Sequence, residues 1–239
     1  MIFGAILAGG VGSRMGIEGM PKQYLPLGDK PVFIHTLEKF LLCGRFDAIY
    51  IGSHPDWVVY AKEEIGKYAF GSTPVRVVSG GVDRNDTIDR VISAIDCDYG
   101  IGTDDVVVTH DSVRPFVTLP IIEENIDAAV KYGACDTVIP ATDTIVRSED
   151  GSLISSIPVR SQMYQGQTPQ SFKIKLFRES YGALTQSERE DLTDACKIFV
   201  MKNMPVHLVM GDPSNIKLTT LVDYRMAQAL LDCGASAND

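Results

Sequence analysis

Apolar positions along the chain alternate between two periods. Ile2 to Leu7 is a continuous apolar run that predicts a buried strand. Residues 31–43 carry apolar positions at helical spacing, with Pro31 at a first-turn position. Residues 47–53 predict a strand, 55–67 a helix, and 75–81 a strand that runs into a glycine turn. Asp83 or Asn85 can cap the following helix, whose buried face is Ile88, Val91, Ile92 and Ile95. A strand at 105–111, a helix at 119–132 and a strand at 134–141 continue the series. Such alternation predicts an α/β fold, a mostly parallel sheet with helices on both faces. Ligands of such sheets sit beyond the carboxyl ends of the strands.

Residues 143–160 break the pattern. Two short β-prone runs flank Glu149-Asp150-Gly151, a hairpin signal, and predict a projecting β-arm. An isolated two-stranded arm is marginal, so it needs a surface, most simply a twin subunit. The rest predicts helices near 173–183 and 188–202, a strand at 206–211, and a last helix from about Val222 to Leu231 before a frayed tail. No repeat or long linker divides the chain, and 1–239 reads as a single domain.

Composition narrows the class. The chain is 45% hydrophobic and can bury a sizeable core. A net charge of −9 argues against nucleic acid or an anionic membrane as partner, while leaving room for a nucleotide at a local cluster of cations. Five scattered cysteines without C-x-x-C read as reduced thiols rather than a disulfide frame or zinc site. The N-terminus lacks a basic stretch and is broken by glycine at residue 9, which fits neither a signal peptide nor a membrane span. A soluble cytoplasmic protein without membrane insertion is expected.

The first strand feeds a loop with Gly9, Gly10, Gly12 and Gly16, containing Arg14 and followed by Lys22. Glycines let backbone amides approach a ligand, and two cations beside them suit a polyphosphate. The dinucleotide pattern G-x-G-x-x-G fails at Met15, and no Gly-Lys-Ser/Thr of a P-loop occurs. Gly80 to Asn85 forms a second ligand-loop candidate or an ordinary strand–helix turn. His110 to Pro115 closes the 105–109 strand. Asp111 there can hold Mg²⁺ or a ribose hydroxyl, or cap the next turn and pair with Arg114. His110 suggests a general base, but a phosphate nucleophile with a second pKa near about 6 needs none. Residues 164–170 read as a polar loop. Lys217 precedes the last helix, either solvated or pointing into a cleft.

The spellings L-A-G-G-V-G-S-R-M-G, P-K-Q, G-G-x-x-R, H-D-S-V-R-P, Q-T-P-Q and N-I-K-L-T follow one another over nearly the whole chain. Together they resemble the cytidylyltransferase family that includes methylerythritol-phosphate cytidylyltransferase. H-D-S-V-R-P-F, Y-Q-G-Q-T-P-Q and T-D-A-C-K are closer to its ribitol-5-phosphate branch, of wall teichoic acid and capsule synthesis. Ser214 stands where the methylerythritol branch typically has Asp, so no acid role carries over there. The resemblance implies a Rossmann-like sheet of nucleotidyltransferase type and transfer of CMP from CTP to D-ribitol 5-phosphate with a divalent cation, Mg²⁺. Methylerythritol phosphate is the alternative acceptor, and a non-catalytic nucleotide-binding subunit the rival of another class. It implies CTP binding by Leu7, Ala8, Gly9, Gly10, Gly81, Val82, Asp83, Arg84, Asn85, Asp86, Thr87 and Ser112. Arg14 and Lys22 would stabilise the transition state, and Asp111 would lie near the metal or ribose. Arg160, Lys217 and Thr168 would position the acceptor. A homodimer through the β-arm and association with a ribulose-5-phosphate reductase complete what it implies.

Overall fold

The computed structural model describes residues 1–10, 19–68 and 70–236. In chain order the strands and helices are β1 (Ile2–Ala8), the short pair β2 (Pro26–Leu27) and β3 (Lys30–Pro31), α1 (Val32–Cys43), β4 (Ala48–Ser53), α2 (Val58–Ile65), β5 (Val75–Ser79) and α3 (Arg84–Tyr99). Then follow β6 (Val106–Asp111), α4 (Leu119–Tyr132), β7 (Ala134–Pro140), β8 (Tyr164–Lys173), α5 (Ile174–Gly182), α6 (Gln186–Glu190), α7 (Cys196–Met201), β9 (His207–Met210) and α8 (Leu221–Ser236).

Seven strands form one sheet in the order β5-β4-β1-β6-β8-β7-β9. Pairing is parallel except where β8 runs against β6 and β7. This is the expected mostly parallel sheet. Side chains alternate across it. Ile6, Ile49, Ile51 and Val108 meet α1, α2 and α4 on one face. Phe3, Ala5, Val107 and Phe172 meet α3, α5 and α7 on the other. Because both faces are covered, β1, β4 and β6 are buried from end to end apart from Ile2, which explains their unbroken apolar spelling. Leu27, Val32, Val113, Leu218 and Ala227 make a smaller core that seats α8.

Three expectations change. Tyr164–Gln170, polar enough to read as a loop, is the first part of the ten-residue β8. Its register pairs Asp136 with Gln170 and Val138 with Gly166, so Gln167, Thr168 and Pro169 stand opposite Thr137 alone. The bulge turns Thr168 towards β6. The helix expected at 188–202 is two short helices, α6 and α7, separated where Asp194 accepts the Lys197 N–H at 2.9 Å. At 143–160 the chain turns back on itself through Gly151 at φ 75°, with Asp150 Oδ1 accepting from Ser148, Ser152 and Leu153. Yet a single bridge, Arg147 with Ser156, replaces two full strands. Among the described residues no second layer covers this excursion, whose side chains are almost all exposed, so little favours extending its ladder.

Candidate active site

A cleft of about 560 Å³ opens where β1, β5 and β6 end. Its first wall continues β1. Gln23, 1% exposed, donates from Nε2 to the Ala8 carbonyl at 2.8 Å and the Gly10 carbonyl at 2.7 Å. That brace ties the glycine segment to the Lys22–Tyr24 turn and sets Lys22 on the cleft. The division within P-K-Q is physical: Lys22 lines the cleft, and Gln23 beside it holds the backbone.

The second wall is the turn into α3. Asp83 caps that helix, accepting the Asp86 N–H at 2.8 Å. Thr87 donates to the Asp83 carbonyl at 2.7 Å and accepts the Gly81 N–H at 3.0 Å, while Asp86 accepts from Val82 at 2.9 Å. A side chain at Gly80 would stand 2.9 Å from the Ser53 carbonyl, and one at Gly81 would collide with Asp86. The turn is thereby held close to the strands, with the start of α3 at the cleft, a position that favours negative charge.

The third wall is the end of β6. Asp111, 7% exposed, faces Lys217 Nζ at 2.7 Å, Arg84 Nε at 3.4 Å and Arg114 Nε at 3.9 Å. Burial pushes this carboxyl up, but Arg84, Lys217 and Arg114 together outweigh it and hold Asp111 well below the usual carboxylate range. Arg114 is anchored by Nη1 donating to the Asn215 carbonyl at 2.7 Å. Fully buried Asn215 donates in turn to Gln167 Oε1 at 3.1 Å and the Thr168 carbonyl at 2.8 Å. Three motifs far apart in the chain interlock at this point.

His110 is fully buried. Its Nε2 lies 3.1 Å from the Arg114 carbonyl, which only accepts, so Nε2 carries the proton. Nδ1 then accepts from the Thr168 hydroxyl at 2.9 Å, whose oxygen accepts the Asp111 N–H at 3.2 Å. Burial pulls the imidazole pKa down to about 4 and keeps it neutral. Both nitrogens are occupied in a structural relay.

Of the residues expected at the site, Leu7, Gly9, Gly10, Lys22, Gly81, Val82, Asp83, Arg84, Thr87, Asp111, Ser112 and Lys217 line this one cleft. Ala8, Asn85, Asp86 and Thr168 support it from behind, through the bonds above or, for Asn85, as part of the buried face of α3. Arg160 is exposed at the foot of the excursion, donating to the Thr142 carbonyl at 3.1 Å, and does not line the cleft. Arg14 lies outside the described residues. Gln23 and Asn215 carry roles that their motif spellings contained but residue type alone did not disclose. Among the described residues no three His, Cys, Asp or Glu side chains converge as a metal cage. Asp111, the acid expected near Mg²⁺, already faces Lys217, Arg84 and Arg114, so it does not fit as a direct ligand, and a divalent cation here would rest on phosphate oxygens, the sparse protein ligation that Mg²⁺ accepts.

Strand ends, a helix start and a set of cations about one cleft define an α/β enzyme of nucleotidyltransferase type. The family model of 2-C-methyl-D-erythritol 4-phosphate cytidylyltransferase, IspD, matches residues 2–233, and the chain belongs to that family. A solved 4-diphosphocytidyl-2C-methyl-D-erythritol synthase from Anaerococcus prevotii is 28% identical over 97% of this chain and 96% of its own, with a TM-score of 0.80. A second structure of that description is 25% identical over 96% of this chain and 98% of its own, at 0.77. The 2-C-methyl-D-erythritol 4-phosphate cytidylyltransferase of Thermus thermophilus, 24% identical over 96% of this chain and 98% of its own, shares the fold at 0.70. These relatives are named for methylerythritol phosphate, so the narrower likeness to the ribitol branch has no counterpart among them.

Proposed function

We infer that the chain transfers the cytidylyl group of CTP to a polyol phosphate and releases pyrophosphate. The observation that carries this reading is Asp111, a buried carboxylate facing three cations in the cleft that also holds Lys22. A triphosphate entering there would meet Gly9, Gly10 and Lys22 on one side and the start of α3 on the other. An acceptor phosphate oxygen bonds to the α-phosphorus in line as the bond to the pyrophosphate oxygen breaks. That nucleophile is already largely dianionic near pH 7, consistent with His110 being neutral and fully hydrogen-bonded. Lys22, with Arg14, would balance charge on the leaving pyrophosphate. Mg²⁺, held by the phosphate oxygens of CTP, would supply further charge neutralisation.

Two acceptors have separate support. Family membership and the solved relatives favour 2-C-methyl-D-erythritol 4-phosphate. The spellings at 110–116 and 164–170, with Ser214 in place of an acid, favour D-ribitol 5-phosphate. Pyrophosphate release from CTP with each decides between them. A tenfold or greater advantage in kcat/KM, about 1.4 kcal/mol in the transition state, assigns the acceptor.

The excursion at 143–160 supports a homodimer. Val146, Leu153, Ile154, Ile157 and Val159 are each at least 50% exposed, which suits an arm that packs on a twin subunit. Arg160 would then grip the acceptor phosphate in the partner's cleft. Lys22→Ala mixed with Arg160→Ala should recover roughly a quarter of wild-type activity if the sites are built in trans, and none if Arg160 serves its own cleft. No helix of the described residues is long and apolar enough to cross a membrane, which suits a cytoplasmic CTP-consuming enzyme. A ribulose-5-phosphate reductase is the partner that would supply ribitol 5-phosphate.

A further inference from the structure

Asp136 has no part in the chemistry so far. It lies on the sheet face covered by α3, α5 and α7, where Ala134, Val107 and Phe172 are apolar. Towards the strand ends that face turns polar, with Thr109 and Asp111 on β6, Gln170 on β8 and Asp136 on β7. Asp136 and Gln170 are paired in register, and Gln170 Nε2 donates to Asp136 Oδ1 at 3.0 Å. Gln170 is 3% exposed, yet its Oε1 has no hydrogen-bond partner. Arg84 reaches over the same face from the start of α3. Its Nε faces Asp111, while Nη1 and Nη2 are buried without partners.

Arg84 and Asp136 sense each other's charge, but Arg84's ion pair is with Asp111. Asp194, just before α7, and Cys196, at its start, lie close enough to act electrostatically on Asp136, as does Arg114 from beyond β6, while Cys135, next to it in the strand, points to the opposite face. Burial pushes the Asp136 carboxyl up to about 6; the Gln170 bond opposes this, Asp194 adds to it and Arg84 opposes it. A side chain built at the exposed Gly166 would find Asp136 Oδ2 at 3.9 Å and no other neighbour within 4 Å, so a ligand can reach that oxygen from this side.

The orphaned groups specify what would fill the gap. Arginine only donates, and an ionised carboxylate only accepts. A phosphate would be repelled by Asp136, and a metal ion by Arg84. A hydroxyl accepts from one and donates to the other. We propose that Asp136, Gln170 and Arg84 bind a hydroxyl of the acceptor's polyol chain, making Asp136 a determinant of acceptor choice. The proposal rests on the reading of the chain as a polyol-phosphate cytidylyltransferase. A site built around a half-buried acid and the buried Gln170 rejects an acceptor with hydrogen or methyl at that carbon, because these groups are then left unpaired.

Steady-state kinetics on the full chain test this, using CTP with the better of ribitol 5-phosphate and methylerythritol phosphate, and with analogues of it each lacking one hydroxyl. Asp136→Ala should raise the acceptor KM roughly 10- to 100-fold while the Kd for CTP stays within about twofold. One analogue should cost the wild type a similar factor and cost Asp136→Ala nothing further. Asp136→Asn, which keeps the shape, provides the same comparison should the alanine variant misfold. An acceptor KM within about twofold of wild type, or equal losses on every analogue in both enzymes, would mean that the gap holds water only. A wild type that binds CTP but releases pyrophosphate with no polyol phosphate would instead overturn the cytidylyltransferase reading, and the subsite with it.

Discussion

Asp111 and Asp136 stand on the same face of the sheet, on β6 and β7 with β8 between them, and their surroundings are opposite. Asp111 is met by Lys217, Arg84 and Arg114, and is held ionised despite its burial. Asp136 has only neutral hydrogen-bond donors, Gln170 and the Thr137 backbone, with Asp194 as a like charge nearby and Arg84 opposing it from further off. Burial alone therefore does not set what a carboxylate does; the balance of partners does. The first acid organises cations at the cleft. The second retains capacity for a ligand beyond it. Between them Arg84 serves the first with Nε, while its terminal nitrogens are buried without partners.

The largest effect should come from removing charge at the cation-rich end. If Lys22 stabilises charge that develops only in the transition state, Lys22→Ala should lower kcat on the order of 10²–10³-fold while CTP binding changes much less. Rapid-quench rates beside equilibrium titration separate the two. Poor CTP binding with normal turnover at saturation would make Lys22 a binder only.

A smaller effect should separate the two acids by sign. The unfolded chain releases the Asp136 proton near pH about 3.9, whereas the folded chain holds it to about 6. The folded state binds more protons in that window, so stability falls as pH rises through it, and the penalty remains above. Asp136→Asn should accordingly stabilise the protein at pH 7–8, by up to about 3 kcal/mol. Asp111 has the reverse linkage: its contribution is present above the unfolded pKa and is lost as pH falls through the lowered folded one. Asp111→Asn should therefore destabilise at neutral pH. Urea unfolding of both variants from pH 4 to 8 checks this; shifts of the same sign would contradict the contrast.

The smallest change in activity should follow His110→Gln. Its imidazole is neutral at working pH and bonded at both nitrogens, so the variant should stay within about tenfold of wild-type kcat near pH 8. A folded variant with a loss matching that of Lys22→Ala would restore His110 as a base.

Much of this was legible in the sequence because local signals agreed. The apolar runs of β1 and β6, the helical spacing of Ile88, Val91, Ile92 and Ile95, and the cap at Asp83 each point to the element that forms. β8 was not legible. Its Gln167, Thr168, Gln170 and Ser171 are buried yet polar, because their partners are Asn215, His110, Asp136 and Asn125 rather than apolar neighbours. Hydrophobic period has no purchase on a strand that carries the site's scaffold. For Asp136 the signal was an acid inside the strand spelling A-C-D-T-V-I-P, too slight without knowing that Gln170 lies beside it. The glycines at the end of β1 pointed to the cleft that Gly9 and Gly10 line, whereas the brace from Gln23 required the fold.

Initial rates of pyrophosphate release test the central claim most directly. CTP, a polyol phosphate and Mg²⁺ would be supplied together and with each left out in turn. Release only when CTP and the polyol phosphate are both present, in amounts equal to the CDP-polyol formed, is the predicted result. Hydrolysis of CTP without acceptor at the same rate, or CTP binding without turnover for any polyol phosphate, would contradict it.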